Sequence, residues 1–184
     1  MNKLPSDFTL ERYGLRVRYV NKDDAEFIVR LRTDEKLGRF INTTSPNVND
    51  QINWIKTYKQ RELNGTDYYF IFESQNSEKL GVCRLYDIND RDFTIGSWLF
   101  KKDSPMGAAI LADIITREIG FELYPEKTLL FDVKLDNINV NRYQATYHPE
   151  VIRESEDTRY YQLDRESFEK YKKLHLRMFK ITKQ

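Results

Sequence analysis

From Leu15 to Val20, apolar Leu15, Val17 and Tyr19 alternate with Arg16 and Arg18, the period of a strand buried on one face. Asn21-Lys22-Asp23-Asp24 then supplies a helix cap, and Phe27, Ile28, Leu31 and Leu37 give the stripe of an amphipathic helix. The polar run Asn42 to Asn47 reads as a loop. A second helix carries Ile52, Ile55 and Tyr58 and stops near Asn64-Gly65. Three strands follow, Tyr68 to Glu73, Lys79 to Tyr86 and Asp92 to Phe100, and their short polar connections predict antiparallel hairpins. A strongly apolar helix spans Pro105 to Leu123 and is stopped by Tyr124-Pro125. Beyond it the pattern predicts a central strand from Thr128 to Leu135 and a short helix from Asn139 to Tyr147, broken by His148-Pro149. A closing hairpin (Val151-Ile152 with Arg159 to Leu163) and a helix capped by Asp164 end the chain. The order β-α-α-β-β-β-α-β-α-β-β-α gives an α/β fold of the mixed α+β kind. Only the β-α-β unit around Pro105 to Phe121 has to be parallel.

At 184 residues the chain reads as one domain, 1–184, with a core over about 15–163 and a C-terminal helix over 164–183. Its 40% hydrophobic and 32% charged residues describe an ordinary globular protein. Thirty basic against 29 acidic residues leave a formal charge of +1, so nothing global favours nucleic acid or an anionic membrane. Lys170, Lys172, Lys173, Arg177, Lys180 and Lys183 gather in the last helix, but Glu166 and Glu169 share it, the pattern of a solvated face. Cys83 stands alone, which excludes an intrachain disulfide and a cysteine-rich zinc site. With only His148 and His175 present, no metal centre is expected. Met1 to Leu10 lacks the apolar core of a signal peptide, and no run reaches the roughly 20 residues of a membrane span, so the default location is cytoplasmic.

The candidate chemistry lies where the strand Thr94 to Phe100 runs through Lys101-Lys102-Asp103-Ser104-Pro105-Met106 into a helix. Such a junction aims free backbone N–H groups and a helix dipole at one point, which makes an anion site. Strand-loop-helix units also occur without ligands. A phosphate on an extended arm suits this one, and coenzyme A has that shape. Ser104 reads as the N-cap and Pro105 as the first helical residue. Gly107, Ala108 and Ala109 let a pyrophosphate approach closely, beside N–H donors from Met106 onward. Lys101 or Lys102 would add charge.

With these loops, the order of elements resembles the GNAT family of acyl-CoA-dependent N-acetyltransferases over Leu15 to Glu169. The resemblance implies a central, mostly antiparallel sheet of six to seven strands, with a β-α-β CoA-binding core and helices on both faces. The family's Arg/Gln-x-x-Gly-x-Gly/Ala loop is met in part: Gly107 and Ala109 occupy its last two positions, while Ser104 stands at the leading Arg/Gln. Acetyl-CoA is the implied co-substrate, its pantetheine arm running along Trp98, Leu99 and Phe100 and hydrogen-bonded to Asn137. A backbone N–H in Ser97 to Leu99 would face the developing oxyanion. Seven positions after Asn137 the family often has a thiolate-protonating Tyr. Gln144 stands there, leaving Tyr147, one turn later on nearly the same face, as the candidate acid, or water.

The residue types leave several roles open. Asp87 or Glu73 would take the proton of an incoming ammonium, and Asp87 equally suits a hairpin turn. Arg32, Arg84 and Phe40 would contact the acceptor, each arginine gripping a phosphate or carboxylate or else pairing with a nearby aspartate. Patterns such as Leu31-Arg32-Thr33-Asp34, Asp67-Tyr68-Tyr69-Phe70 and Gly96-Ser97-Trp98 are similar to those of family members that acetylate amino sugars on nucleotide carriers. A small-molecule amine is therefore the expected acceptor, and a homodimer an allowed assembly. The alternatives are acetylation of a protein or peptide amine and a non-catalytic CoA-binding domain.

Overall fold

The computed structural model describes residues 2–181 and is built on one eight-stranded sheet. Its strands are β1 (Thr9–Arg12), β2 (Leu15–Tyr19), β3 (Tyr68–Glu73), β4 (Lys79–Tyr86), β5 (Asp92–Phe100), β6 (Thr128–Lys134), β7 (Glu150–Glu154) and β8 (Thr158–Leu163). Their order in the sheet is β1-β2-β3-β4-β5-β6-β8-β7. Every neighbouring pair is antiparallel except β5 with β6, the pair joined by a helical crossover. The strand beyond the expected six or seven is β1. It has one apolar residue, Leu10, and turns into β2 through Tyr13-Gly14 with φ of 52° and 77°. A four-residue edge strand with so little to bury leaves a faint trace in an alternation pattern.

Five helices complete the chain: α1 (Ala25–Thr33), α2 (Val48–Asn64), α3 (Ala108–Leu123), α4 (Ile138–Ala145) and α5 (Arg165–Met178). Strand β3 shows why helices must lie on both faces of the sheet. Its six residues are all buried. Tyr68, Phe70 and Phe72 face the core shared with α3 (Leu111, Ile114, Ile115), while Tyr69 and Ile71 face α1 and α2 (Ile28, Leu31, Ile55).

Helix boundaries differ from the pattern-based reading at α1, α3 and α5, and at α4 by one or two residues at each end. Helix α1 ends at Thr33, and Leu37 falls after a turn in which Asp34 Oδ1 accepts the N–H groups of Lys36 and Leu37. Helix α3 starts at Ala108 rather than Pro105. Ser104 does not cap it; its hydroxyl donates to Leu80 O at 3.3 Å. The N-cap is Gly107, whose φ of +86° suits a residue without Cβ. Helix α5 stops at Met178, and the last expected helical positions, Thr182 and Lys183, lie outside the described residues.

Strand β5 pairs with β6 only through Asp92, Phe93 and Thr94, opposite Thr128, Leu129 and Leu130. Past that point β5 continues on β4 alone and β6 on β8 alone, so the two strands splay apart. The register on β4 gives the cause. Val82 sits opposite Leu99 and Arg84 opposite Gly96, so Ser97 and Trp98 oppose the single residue Cys83. This is a β-bulge, and Ser97 takes up its bend with φ of +51°.

Phe168 fixes α5 to this frame. It is fully buried, stacked on Phe121 at 5.5 Å between ring centres and tilted against Tyr147 at 6.0 Å. Phe168→Ala should lower the unfolding free energy by about 3–5 kcal/mol in denaturant titration. A loss below about 1 kcal/mol would mean that α5 contributes little to the core.

Candidate active site

The splay opens a cavity of about 140 Å³ between the far halves of β5 and β6. Ser97, Trp98 and Leu99 line one wall, Asp132 and Val133 the other, and Asn137 and Val140 the end nearest α4. Lys101 N–H donates to Leu80 O across the β4 ladder. Alternation along the strand therefore turns the N–H groups of Phe100 and Trp98 toward the gap. The Phe100 ring points elsewhere, into the core, where it lies so close to Gly81 that a Cβ there would come within 2.4 Å. Phe100 thus offers the gap its backbone only. Asn137 precedes α4 without capping it, and its carboxamide has no hydrogen-bond partner among the described residues. Phe40, on a short 3-10 turn, lines this cavity and not the acceptor side.

The amino end of α3 lies beside β5, outside the lining of this cavity. No side chain caps it. Among the described residues the N–H groups of Met106, Gly107, Ala109 and Ile110 have no acceptor. Trp98 joins strand to helix by donating its indole N–H to Ala109 O at 2.9 Å. Met106 is 95% exposed, while a Cβ on Gly107 would meet the Phe179 ring at 2.3 Å. Neither lysine of the loop brings free charge: Lys101 pairs with Glu78, and Lys102 lies 2.9 Å from Asp34. What the loop offers an anion is therefore backbone N–H groups and a helix dipole, without free lysine charge.

On the opposite side of Ser97 lies a second cavity of about 410 Å³, walled by α1, the Asn42–Ser45 loop, α2 and the face of β3–β5. Arg32, Trp54, Tyr69, Arg84 and Tyr86 reach into it, and Ser97 borders both cavities. Arg84 Nε donates to Asp67 Oδ1 at 2.7 Å, and Nη2 reaches Oδ2. Of the two readings of this arginine, pairing with a nearby aspartate is the one found, and the partner is Asp67. Arg32 pairs with no carboxylate among the described residues. It donates to Thr44 Oγ1 at 2.6 Å and to Asn42 O at 3.2 Å.

Three expected catalytic groups are elsewhere. Asp87 is exposed at the β4–β5 turn with φ of +50° and lines neither cavity. Glu73 is buried and bound to Arg18 at 2.8 Å. Tyr147 is fully buried, its hydroxyl 3.1 Å from that of Tyr143 and its ring under Arg117. It belongs to a closed network in which Arg117 Nε lies 2.8 Å from Asp113, Arg117 Nη2 donates to Gln144 Oε1 at 2.6 Å, and the Tyr143 hydroxyl donates to Asp113 at 2.6 Å. The position of the family's acidic Tyr is thus spent on holding Arg117.

The family model described as Acetyltransferase (GNAT) domain matches residues 14–150. The chain belongs to the GNAT family. It is an acetyl-CoA-dependent N-acetyltransferase. No curated protein sequence matches it. Among solved structures, apo FdhC, a nucleotide-linked sugar GNAT, is 29% identical with a TM-score of 0.82, over 93% of this chain and 98% of that one. Two more distant structures share the fold. Mycobacterium smegmatis RimJ in complex with CoA-disulfide is 16% identical (TM-score 0.73, covering 89% and 88%). Spermidine N-acetyltransferase from Vibrio cholerae, in complex with CoA and spermine, is 13% identical (TM-score 0.72, covering 85% and 99%).

Of the residues lining these cavities, Asp132 is not singled out by the sequence, and Trp54 and Tyr69 stand only inside family-like patterns (Trp54-Ile55 and Asp67-Tyr68-Tyr69-Phe70) without a role of their own. Tyr69 lies inside an unbroken apolar strand, where it reads as core; its cross-strand neighbour Arg84 is the one local signal. Asp132 makes no hydrogen bond or ion pair among the described residues. The residue is exposed, and partial desolvation beside the gap raises its pKa above the ordinary carboxylate value.

Two outcomes follow. Met106→Asp should weaken acetyl-CoA binding about tenfold by calorimetry, because it sets a carboxylate beside the anion seat, with the melting temperature of the ligand-free protein unchanged. Unaltered affinity would remove the pyrophosphate from the α3 terminus. His175, buried against Tyr143 and Tyr147, has its pKa lowered by burial from 6.5. The unfolded chain then binds the proton more readily, so stability is full above about pH 6.5 and falls as pH drops below it. The melting temperature should drop between pH 7 and 5.5, and less in His175→Gln; equal slopes would show that His175 is not the group responsible.

Proposed function

We propose that the acceptor is an amino sugar carried on a nucleotide and that its amine enters from the larger cavity to meet the acetyl thioester at Ser97. One observation carries the reading: two separate cavities share that single residue, one a slot between the splayed strands, the other a chamber with arginines and an exposed indole. A roofed chamber of about 410 Å³ suits a small molecule. The similarity to apo FdhC, a nucleotide-linked sugar GNAT, supports the same class.

In this reading the backbone of Trp98 and Phe100 holds the pantetheine arm as an added strand, and Asn137 hydrogen-bonds it from the other side. A backbone N–H of the bulge at Ser97 to Leu99 faces the thioester oxygen as negative charge grows there. Three carboxylates line the two cavities: Asp50 accepts from Ser45 at 2.6 Å, Asp113 is committed to Arg117 and Tyr143, and Asp132 is free. Asp132 therefore replaces Asp87 as the group that takes the ammonium proton, directly or through water. The neutral amine attacks the carbonyl carbon, the C–N bond forms as the C–S bond breaks, and the amine's second proton leaves with the thiolate or through water. Holding both reactants at one residue supplies much of the acceleration.

Mixing the protein with acetyl-CoA and a panel of amino-sugar nucleotides, N-terminal peptides and polyamines should release free thiol with an amino-sugar nucleotide. Turnover of peptides or polyamines alone would refute the acceptor class. In Asn137→Ala, KM for acetyl-CoA should rise severalfold while KM for the amine stays put.

A further inference from the structure

The larger cavity contains an unsatisfied donor. Tyr69 is 2% exposed, lines the cavity, and its hydroxyl has no hydrogen-bond partner among the described residues. A buried hydroxyl without a partner is costly, so its position calls for a ligand atom. Its backbone is fixed: Tyr69 N–H donates to the Tyr58 hydroxyl at 2.7 Å. Burial pushes its pKa up to about 12 against the opposing guanidinium groups of Arg32 and Arg84, so the hydroxyl keeps its proton and donates.

Its surroundings are also donors. Arg32 uses Nε on Thr44 and one Nη2 hydrogen on Asn42 O, and it has no acid partner among the described residues. Arg84 and Arg61 share the single carboxylate of Asp67, so that cluster keeps an excess positive charge. The one acidic residue lining this cavity, Asp50, is bonded to Ser45. Trp54 is 36% exposed, rests one face on Tyr58 at 5.4 Å and 4°, and has Arg84 5.1 Å from its ring. Donors converging without an acceptor, beside excess positive charge, define a seat for an anion with several oxygens.

We propose that Arg32 and the Tyr69 hydroxyl bind a phosphate group of the acceptor, with Asp67 holding Arg84 in place as the neighbouring positive charge and Trp54 flanking the ligand. This rests on the reading of the acceptor as a nucleotide-linked sugar, and it assigns the phosphate contact to Arg32 and Tyr69 while making Arg84 a positioning residue.

The test uses protein saturated with CoA, so that the α3 anion seat is filled, titrated with uridine diphosphate, thymidine diphosphate, inorganic diphosphate and free glucosamine. A nucleoside diphosphate should bind and glucosamine should not. Binding should weaken tenfold or more in Arg32→Ala, less in Arg32→Lys, and severalfold in Tyr69→Phe, with CoA affinity unchanged in all three. Tyr69→Phe is the decisive variant, because without ligand it removes an unpaired buried hydroxyl and should melt no lower than the parent. Inorganic diphosphate binding as tightly as the nucleoside diphosphates, with the same losses in the variants, supports the seat and makes phosphate the recognised chemistry. Nucleoside diphosphate binding that is equal in the parent, Arg32→Lys and Tyr69→Phe would overturn the seat and leave the acceptor class standing. No binding of any diphosphate to the CoA-loaded protein would overturn both.

Discussion

One extra residue in a ladder governs this molecule. Where Ser97 and Trp98 face Cys83 alone, β5 bends away from β6 and can no longer be zipped to it. Backbone groups that a sheet would normally satisfy are left facing a gap, and unsatisfied backbone is what an extended amide-bearing ligand can pair with. Each other part of the site is placed relative to that bend. The α3 terminus is tied to the bulge through Trp98, Asn137 lines the gap, and the second cavity meets the first at Ser97.

The interior beneath α4 shows how a family pattern can be kept in shape while one position changes chemistry. Arg117 is fully buried, and an isolated guanidinium there would be prohibitively costly. Asp113 supplies the counter-charge, Gln144 an uncharged acceptor, and the rings of Phe131 and Tyr147 flank it at 5.1 and 4.7 Å. The Gln144 carboxamide accepts from Arg117 Nη2 at 2.6 Å without bringing in a second charge. Gln144 and Arg117 thus read as a matched pair. Tyr143 and Tyr147 are held by the same network, their pKa values raised chiefly by burial, which fixes them as neutral hydroxyls.

Much of the fold was legible because its elements carry strong periods. Strands β3, β4 and β5 have the boundaries that their apolar runs and polar turns predict. Two things were hidden for physical reasons. The start of α3 depends on Gly107 taking a left-handed conformation under Phe179, a contact between residues 72 positions apart (179 minus 107), so Ser104-Pro105 looked like a cap. The candidate proton acceptor was hidden because 29 acidic residues compete and partnership decides among them. Glu73 and Asp113 are spent on arginines, Asp87 on a turn, and Asp132 becomes distinctive only once the splay leaves it unpaired. The two arginines were visible as a pair, but their unequal states came from Asp67, on a strand edge that alternation alone does not orient.

The ring of Phe179 against Gly107 ties the amino end of α3 to the carboxyl end of α5, two termini 72 residues apart in sequence. Any displacement of α5 would therefore be felt at the unpaired N–H groups beside Gly107, so that a change on the far side of the core can alter the surroundings of that helix end without touching it directly.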